Sequence, residues 1–426
     1  MSGASDPRYA CRLAEELAPD VLERFLRYVR IDTQAELDAT TYPSSQGQLD
    51  LSRLLADELR TLGLADVELT EHGYVLATLP GTVAGARTVA LFAHVDTAPD
   101  APGADVRPHV HERWDGAPIT LPGDPAQVLD SAALPELADC VGHDLVTSDG
   151  TTLLGADDKA GVAEIMAAVA HLVADDGPRA PARIVFTVDE EVGAGTAHLD
   201  LEHVAADVGY TLDGSGRGEL EVETFSAYAV KVTIRGVVVH PGSAKGRMVS
   251  AVRLAADLVA SLPRDRLAPE VTEGREGFVH PTRIAGQVAE AAVWFLVRDH
   301  DEARLQEHLA TLTALVDELR EQEPRARVDV RVERQYTNMR HVLDRHPEVV
   351  DAAVEAIRRV GLEPRFELIR GGTDGARLSE RGLPTPNLFT GGRLYHSVRE
   401  WASVQDMAAA AATVVELLRL WGVRTG

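Results

Sequence analysis

Residues 147–162 read TSDGTTLLGADDKAGV, and the fold turns on how that stretch ends. An apolar, turn-rich approach (Leu153, Leu154, Gly155, Ala156) delivers two adjacent aspartates, Asp157 and Asp158, to the mouth of a helix. That helix carries Val162, Ile165, Met166, Val169 and Leu172 at the i, i+3, i+4, i+7 spacing of one apolar face. Aspartates at a helix start satisfy its unpaired N–H groups and its dipole, so taken alone the pair reads as a cap. Four other apolar segments, however, also end abruptly in His, Asp or Glu, and an aspartate able to bridge two metal ions would account for all of them.

Upstream, residues 88–93 (TVALFA) form the continuous apolar run of a strand buried on both faces, ending in His94-Val95-Asp96. Alternation along a strand puts His94 and Asp96 on one side, and ligands in open α/β sheets gather at such strand ends. Downstream, residues 182–188 (ARIVFTV) end in Asp189-Glu190-Glu191. Three adjacent carboxylates raise one another's pKa unless a cation is close. A further strand, 208–212, ends in Asp213-Gly214, and the last candidate is His396 in TGGRLYHSVRE. The set His94, Asp157, Glu191, Asp213 and His396 mixes imidazole with carboxylate, which suits zinc, with cobalt or manganese as substitutes. One carboxylate shared by two ions, with a His and a carboxylate completing each, makes a two-metal hydrolytic site whose ions typically lie ~3.5–4 Å apart. Asp96 can then accept the other ring N–H of His94 and fix its tautomer, while Glu190, beside a ligand yet free, serves as general base.

The remainder frames this set. The chain has 426 residues, long enough for two domains, and carries 42 Lys and Arg against 67 Asp and Glu for a net charge of −25. That balance argues against nucleic acid and anionic membranes as partners. Two cysteines are too few for a disulfide framework and fit a reducing cytoplasm, and neither a signal peptide nor an 18-residue apolar run is seen. Residues 1–17 read as a frayed start, 19–28 and 49–64 as helices, and 67–79 as a hairpin turning at His72-Gly73. Residues 97–146, dense in proline, read as a long loop whose His109, His111 and His143 are expected at the surface. From 219 to 334 the pattern changes to a self-contained α+β block without candidate ligands, inserted between 1–218 and 335–426. The expected fold is therefore α/β: a mixed, mostly parallel central sheet flanked by helices, plus an inserted α+β domain. Ser403 and Asp406 mark the start of a last helix with Val414, Leu417, Leu418 and Trp421 on one face.

HVDTAPD, TLLGADDKAG, TVDEEVGAG, VHPGSAKG, TEGREGF, IRGGTDGA and the terminal TGG–YH–E together resemble the peptidase T family of tripeptide aminopeptidases. That family belongs to the di-zinc exopeptidases, with carboxypeptidase G-like enzymes, dipeptidases and succinyl-diaminopimelate desuccinylase. The resemblance spans about residues 21–418 and implies two Zn2+ per chain, short peptide substrates, and a lid domain that allows a homodimer. By position it implies that His94 and Asp213 bind one ion, Glu191 and His396 the other, and Asp157 both. It also implies that Asp96 orients the first histidine, that Glu190 is the base, and that His240 on the lid polarises the scissile carbonyl. Arg298, Arg370, Gly371, Gly372 and Thr373 fall at substrate-binding positions. The family's Gly-Lys-His after the last ligand histidine is Ser397-Val398-Arg399 here, and the Pro before the acidic triplet is Val188. The alternatives are another di-zinc amidohydrolase, a dipeptidase or N-acyl amino acid deacylase, and an inactive metal-binding scaffold.

Overall fold

The computed structural model describes residues 6–424. The chain forms two compact units, one of residues 1–222, 342–367 and 373–426, the other of 223–341 and 368–372. The expectation set the insertion's limits at 219 and 334. Leu220 pairs with Leu388, so the strand Glu219–Thr224 begins within the large sheet, and the insertion begins later.

The first unit is built on an eight-stranded sheet in the order Ala65–Leu69, Val75–Leu79, Ala182–Thr187, Val89–His94, Val208–Gly214, Asn387–Phe389, Glu219–Thr224, Arg365–Ile369. Parallel pairing joins the four strands from Ala182–Thr187 to Asn387–Phe389. Antiparallel neighbours flank them on both sides, at Val75–Leu79 and at Glu219–Thr224. The sheet is thus mixed, with its parallel part at the centre. Every residue of Val89–His94 is buried, as an apolar run covered on both faces requires. The predicted hairpin forms, with Gly73 at φ +88° in its turn.

The helix Ala156–Ala174 packs against the strands Val89–His94 and Val208–Gly214 and against the helices Arg12–Tyr28 and Val404–Val423. The expected single apolar face is only part of what it buries: Ala160, Gly161, Ala163, Ala167 and Ala168 are covered as well. A helix enclosed by a sheet on one side and helices on the other needs no polar stripe. The last helix is likewise buried nearly all round. The start of the chain differs from expectation. Residues 1–5 lie outside the described residues, but the first helix begins at Arg12, not Pro19, and buries Ala14, Leu17 and Ala18 before continuing to Tyr28. An interior proline costs a helix about 3 kcal/mol, which the burial of that apolar turn offsets.

Residues 97–146 are not a bare loop. Four short strands (His109–His111, Ile119–Thr120, Val128–Leu129, Leu145–Thr147) and the helix Pro135–Ala138 enclose a separate small core. Trp114, Leu121, Leu129, Leu137, Cys140 and Leu145 pack there with Trp401. The prolines break periodicity without preventing burial. His143, expected at the surface, is buried with Nδ1 2.9 Å from Ser403 Oγ, and His111 Nε2 lies 3.0 Å from Thr147 Oγ1.

The second unit is a four-stranded antiparallel sheet in the order Phe278–Gly286, Glu290–Asp299, Ser226–Arg235, Arg327–Tyr336. Alternate residues Val230, Val232 and Ile234 face Leu258, Leu305 and Leu312 of the helices Ala251–Ser261 and Glu302–Gln322. No helix among the described residues is long and apolar enough to cross a membrane.

Gly161 sets how closely the Asp157-bearing helix approaches the Asp213-bearing strand, because a Cβ there would collide with the Leu212 carbonyl oxygen. Gly161→Ala is expected to lower the unfolding free energy by about 1–3 kcal/mol, the usual cost of overpacking. Urea denaturation checks this; a wild-type midpoint would mean the helix can shift freely.

Candidate metal centre

The four parallel strands end on the same side of the sheet, and three of them end at predicted ligands or lead straight into them. His94 closes its strand, Asp213 lies at the end of Val208–Gly214, and Glu191 follows the strand Ala182–Thr187 through the turn at Asp189, whose φ is +57°. Asp157 comes from the helix start and His396, at φ +60°, from the connection between the short strands Gly392–Arg393 and Trp401–Ser403.

These five side chains meet. His94 Nε2 lies 3.0 Å from Asp157 Oδ1 and 3.6 Å from Asp213 Oδ1. His396 Nε2 lies 3.0 Å from Glu191 Oε2 and 3.5 Å from Asp157 Oδ2. Asp157 therefore turns one oxygen toward His94 and Asp213 and the other toward His396 and Glu191.

The helix-cap reading and the ligand reading divide between the two aspartates. Asp158, not Asp157, behaves as the cap: its Oδ1 accepts from Gly161 N at 3.2 Å and its Oδ2 from His94 N at 3.2 Å. Asp157 has non-helical backbone angles (φ −84°, ψ 104°), which leave its carboxylate clear of the helix. Ligand atoms of His94, Asp158 and Asp213 also lie within 4.8 Å of one another, but both Asp158 oxygens are already engaged.

Electrostatics follow from crowding carboxylates out of water. Burial, reinforced by the Asp157 charge, pushes Glu191 up to about 8. Burial raises Asp213 to about 6 and holds Glu190 well above the carboxylate range. Burial would raise Asp157 too, but hydrogen bonds from His396 and His94 outweigh it and hold it below its ordinary value. Those same bonds, to Asp157 first and then Glu191, lift His396 to about 11. Glu191 Oε1 is buried and finds no hydrogen-bond donor among the described residues. An anion-rich pocket with an orphaned acceptor and two imidazoles is the donor set that divalent cations satisfy, so the residues fit a metal pair.

Asp96 does more than orient a histidine. His94 Nδ1 lies 3.1 Å from its backbone oxygen and 3.3 Å from Oδ1, while its carboxylate accepts from Glu190 N and Glu191 N, each at 3.1 Å. Asp189 is occupied elsewhere, accepting from Ser44 N at 2.7 Å, from the Ser44 hydroxyl and from Gln48 Nε2 at 2.7 Å, which leaves Glu190 as the unassigned carboxylate of the triplet. Two positions are given no role by the sequence reading. Asp100 Oδ2 lies 3.2 Å from His396 Nδ1, the counterpart of Asp96 for the other histidine. Glu400, fully buried, accepts from Leu154 N (2.7 Å), Gly155 N (2.8 Å) and Asp157 N (3.1 Å). Both stand within motifs quoted from the chain, Asp100 at the end of HVDTAPD and Glu400 at the end of TGG–YH–E, without a role there.

The remaining predicted residues lie mostly in the second unit. His240 is exposed, and its Nδ1 accepts from Gly242 N at 3.1 Å. Arg298 lies over the Phe278 and Tyr336 rings and beside Gly371. Arg370 donates to Gly274 O at 3.0 Å and to Thr272 Oγ1 at 2.8 Å, and a Cβ at Gly372 would press on Tyr336. Thr373, in the first unit, caps the helix Asp374–Glu380.

A family model described as peptidase family M20/M25/M40 matches residues 143–420. The chain belongs to that family. It is 42% identical over 408 residues to a peptidase T of Geobacillus thermodenitrificans, covering 95% of this chain and 99% of the relative. It is 44% identical to a peptidase T of an Exiguobacterium species, covering 95% and 98%. The crystal structure of the aminopeptidase PepT from Bacillus cereus superposes with a TM-score of 0.72 at 25% identity, covering 95% and 98%. As a family member the chain is a peptidase, a hydrolase of peptide bonds.

Removing Glu400 should undo the loop before Asp157. Glu400→Ala leaves two buried N–H groups and a half-buried third without an acceptor, at about 1–3 kcal/mol for each buried orphaned donor. The expected result is a lowered urea midpoint of the metal-free protein together with weaker zinc binding by titration. Wild-type values for both would mean the loop holds itself.

Proposed function

We propose that this protein is a metallo-aminopeptidase that releases the N-terminal residue from tripeptides. The observation that carries the reading is the Asp157 carboxylate, facing His94 with one oxygen and His396 with the other. In this reading His94 and Asp213 hold one Zn2+, Glu191 and His396 a second, and Asp157 both, with Co2+ or Mn2+ as substitutes. Such ions, when bound, supply Lewis-acid polarisation of a carbonyl and acidify a water. The chain's own residues do the rest. Glu190 takes the proton of the attacking water and returns it to the leaving amine; burial raises its basicity, in the direction a general base needs. Asp96 fixes Glu190 by its backbone N–H and His94 by its ring. His240, on the second unit, donates to the carbonyl oxygen as it gains charge, with Arg298 and the 370–373 segment holding the peptide's far end.

The first unit is the catalytic domain, and the second, residues 223–341 and 368–372, is a lid through which two chains pair. The protein works in the cytoplasm, in keeping with its two free cysteines. Its relatives bear the name peptidase T, and the resemblance to that family of tripeptide aminopeptidases favours tripeptides over the dipeptides and N-acyl amino acids of a related amidohydrolase.

A panel of di-, tri- and tetrapeptides and N-acyl amino acids tests the substrate. Tripeptides should turn over fastest, chelation should abolish turnover, and zinc, cobalt or manganese should restore it. Preferred cleavage of N-acyl amino acids would replace the aminopeptidase reading with that of a deacylase. Glu190→Gln keeps shape but loses the proton acceptor, so kcat should fall roughly 10²–10⁴-fold with metal content unchanged. Near-normal turnover in the metal-replete variant would remove Glu190 from the base role. His240→Ala should keep its fold and metal and lose about 10²–10³-fold in kcat on Ala-Ala-Ala; wild-type turnover would leave the second unit no part in the chemistry.

A further inference from the structure

The small core of residues 97–146 borders a second polar cavity in the first unit, of about 210 Å3. Arg217, Arg365 and Arg393 line it together with three acids, Glu136, Asp139 and Asp406, and with Cys140 and Trp401. Three guanidiniums offer many N–H donors, of which Arg365 Nη2 donates to Arg217 O at 3.1 Å and Arg393 Nη1 to Gly392 O at 3.2 Å. Glu219 serves both Arg365 and Arg393 through a single oxygen, at 3.2 and 3.4 Å, while its other oxygen accepts from Gly216 N. Arg217 reaches Asp406 Oδ1 only at 3.5 Å, and that buried oxygen has no hydrogen-bond partner. Independently, the indole N–H of Trp401, a residue only 1% exposed, is buried without an acceptor. Buried donors are rarely left so.

We propose that this cavity binds a small oxyanion that retains a proton, with inorganic phosphate as the simplest example. Phosphate oxygens would accept from the guanidinium forks and from Trp401 Nε1, and the remaining P–OH would donate to Asp406 Oδ1. That last contact makes the site selective. Sulfate has the same size but no proton to give at neutral pH, so it would set an oxygen against the Asp406 carboxylate. A cation is disfavoured, although ligand atoms of Cys140, His143 and Asp406 lie within 4.8 Å of one another. It would meet Arg217 at the same carboxylate, and burial pushes the Cys140 thiol up to about 12.

Arg393 is the cross-strand partner of Trp401, and the connection between them carries His396 and Glu400. A bound anion would clamp the base of that hairpin. This consequence, unlike the binding, rests on the metal reading above.

Isothermal titration of the metal-loaded full chain with inorganic phosphate and with sulfate, at fixed ionic strength, tests the site. Phosphate should bind, with sulfate at least tenfold weaker. Arg217→Gln and the more exposed Arg365→Gln should each weaken phosphate about tenfold or more, as loss of a charged hydrogen bond does. Trp401→Phe, which keeps the ring, should weaken it as well. Absence of phosphate binding, equal binding of sulfate, or undiminished binding in both arginine variants would overturn the proposal. Peptide turnover is not part of the readout, so the outcome is independent of the proposed peptidase mechanism.

Discussion

Asp157 lies half-buried between two imidazoles, and the energetics of that carboxylate govern the design of the first unit. Glu190, Glu191 and Asp213 crowd the same space, and burial raises each of them toward neutrality. A protein that wanted only stability would not collect acids this way, since unpaired buried charge is expensive. The collection makes sense if positive charge is delivered to both faces of Asp157. The parallel strand ends then have a purpose: they bring His94, Asp213 and Glu191 to one side of the sheet, and the helix start and the 394–400 connection complete the ring.

Carboxylates around the centre hold backbone as well as facing it. Asp96 ties down Glu190 and Glu191, Asp158 ties the His94 strand end to its own helix, and Glu400 grips the turn before Asp157. Asp189 fastens the acidic turn to Ser44 and Gln48. Each acid engages N–H groups that loops would otherwise leave open. The proposed ligand positions are therefore fixed by short charged contacts at several loops, which is how a centre is held in shape before anything binds.

Much of this was legible in the chain. Continuous apolar runs ending in His or acid gave away the strand ends, because buried parallel strands have few other ways to look. What stayed hidden depended on tertiary contact. Which aspartate of Asp157-Asp158 caps and which projects is decided by backbone angles that sequence does not reveal. Glu400 and Asp100 matter only through what they touch. The 97–146 region misled because prolines suppress periodicity, while its core closes on Trp401, more than 250 residues away from most of it. Pro19 misled in the opposite direction, as a helix start overridden by the apolar turn before it.

The central claim is that Asp157 is shared by two ions. Crystals of the zinc-loaded protein, measured for anomalous scattering at the zinc edge, test it most directly. The account predicts two peaks, one between Asp157 and the His94–Asp213 pair and one between Asp157 and the Glu191–His396 pair. A single peak, or peaks that leave the Asp157 carboxylate uncoordinated, would contradict it.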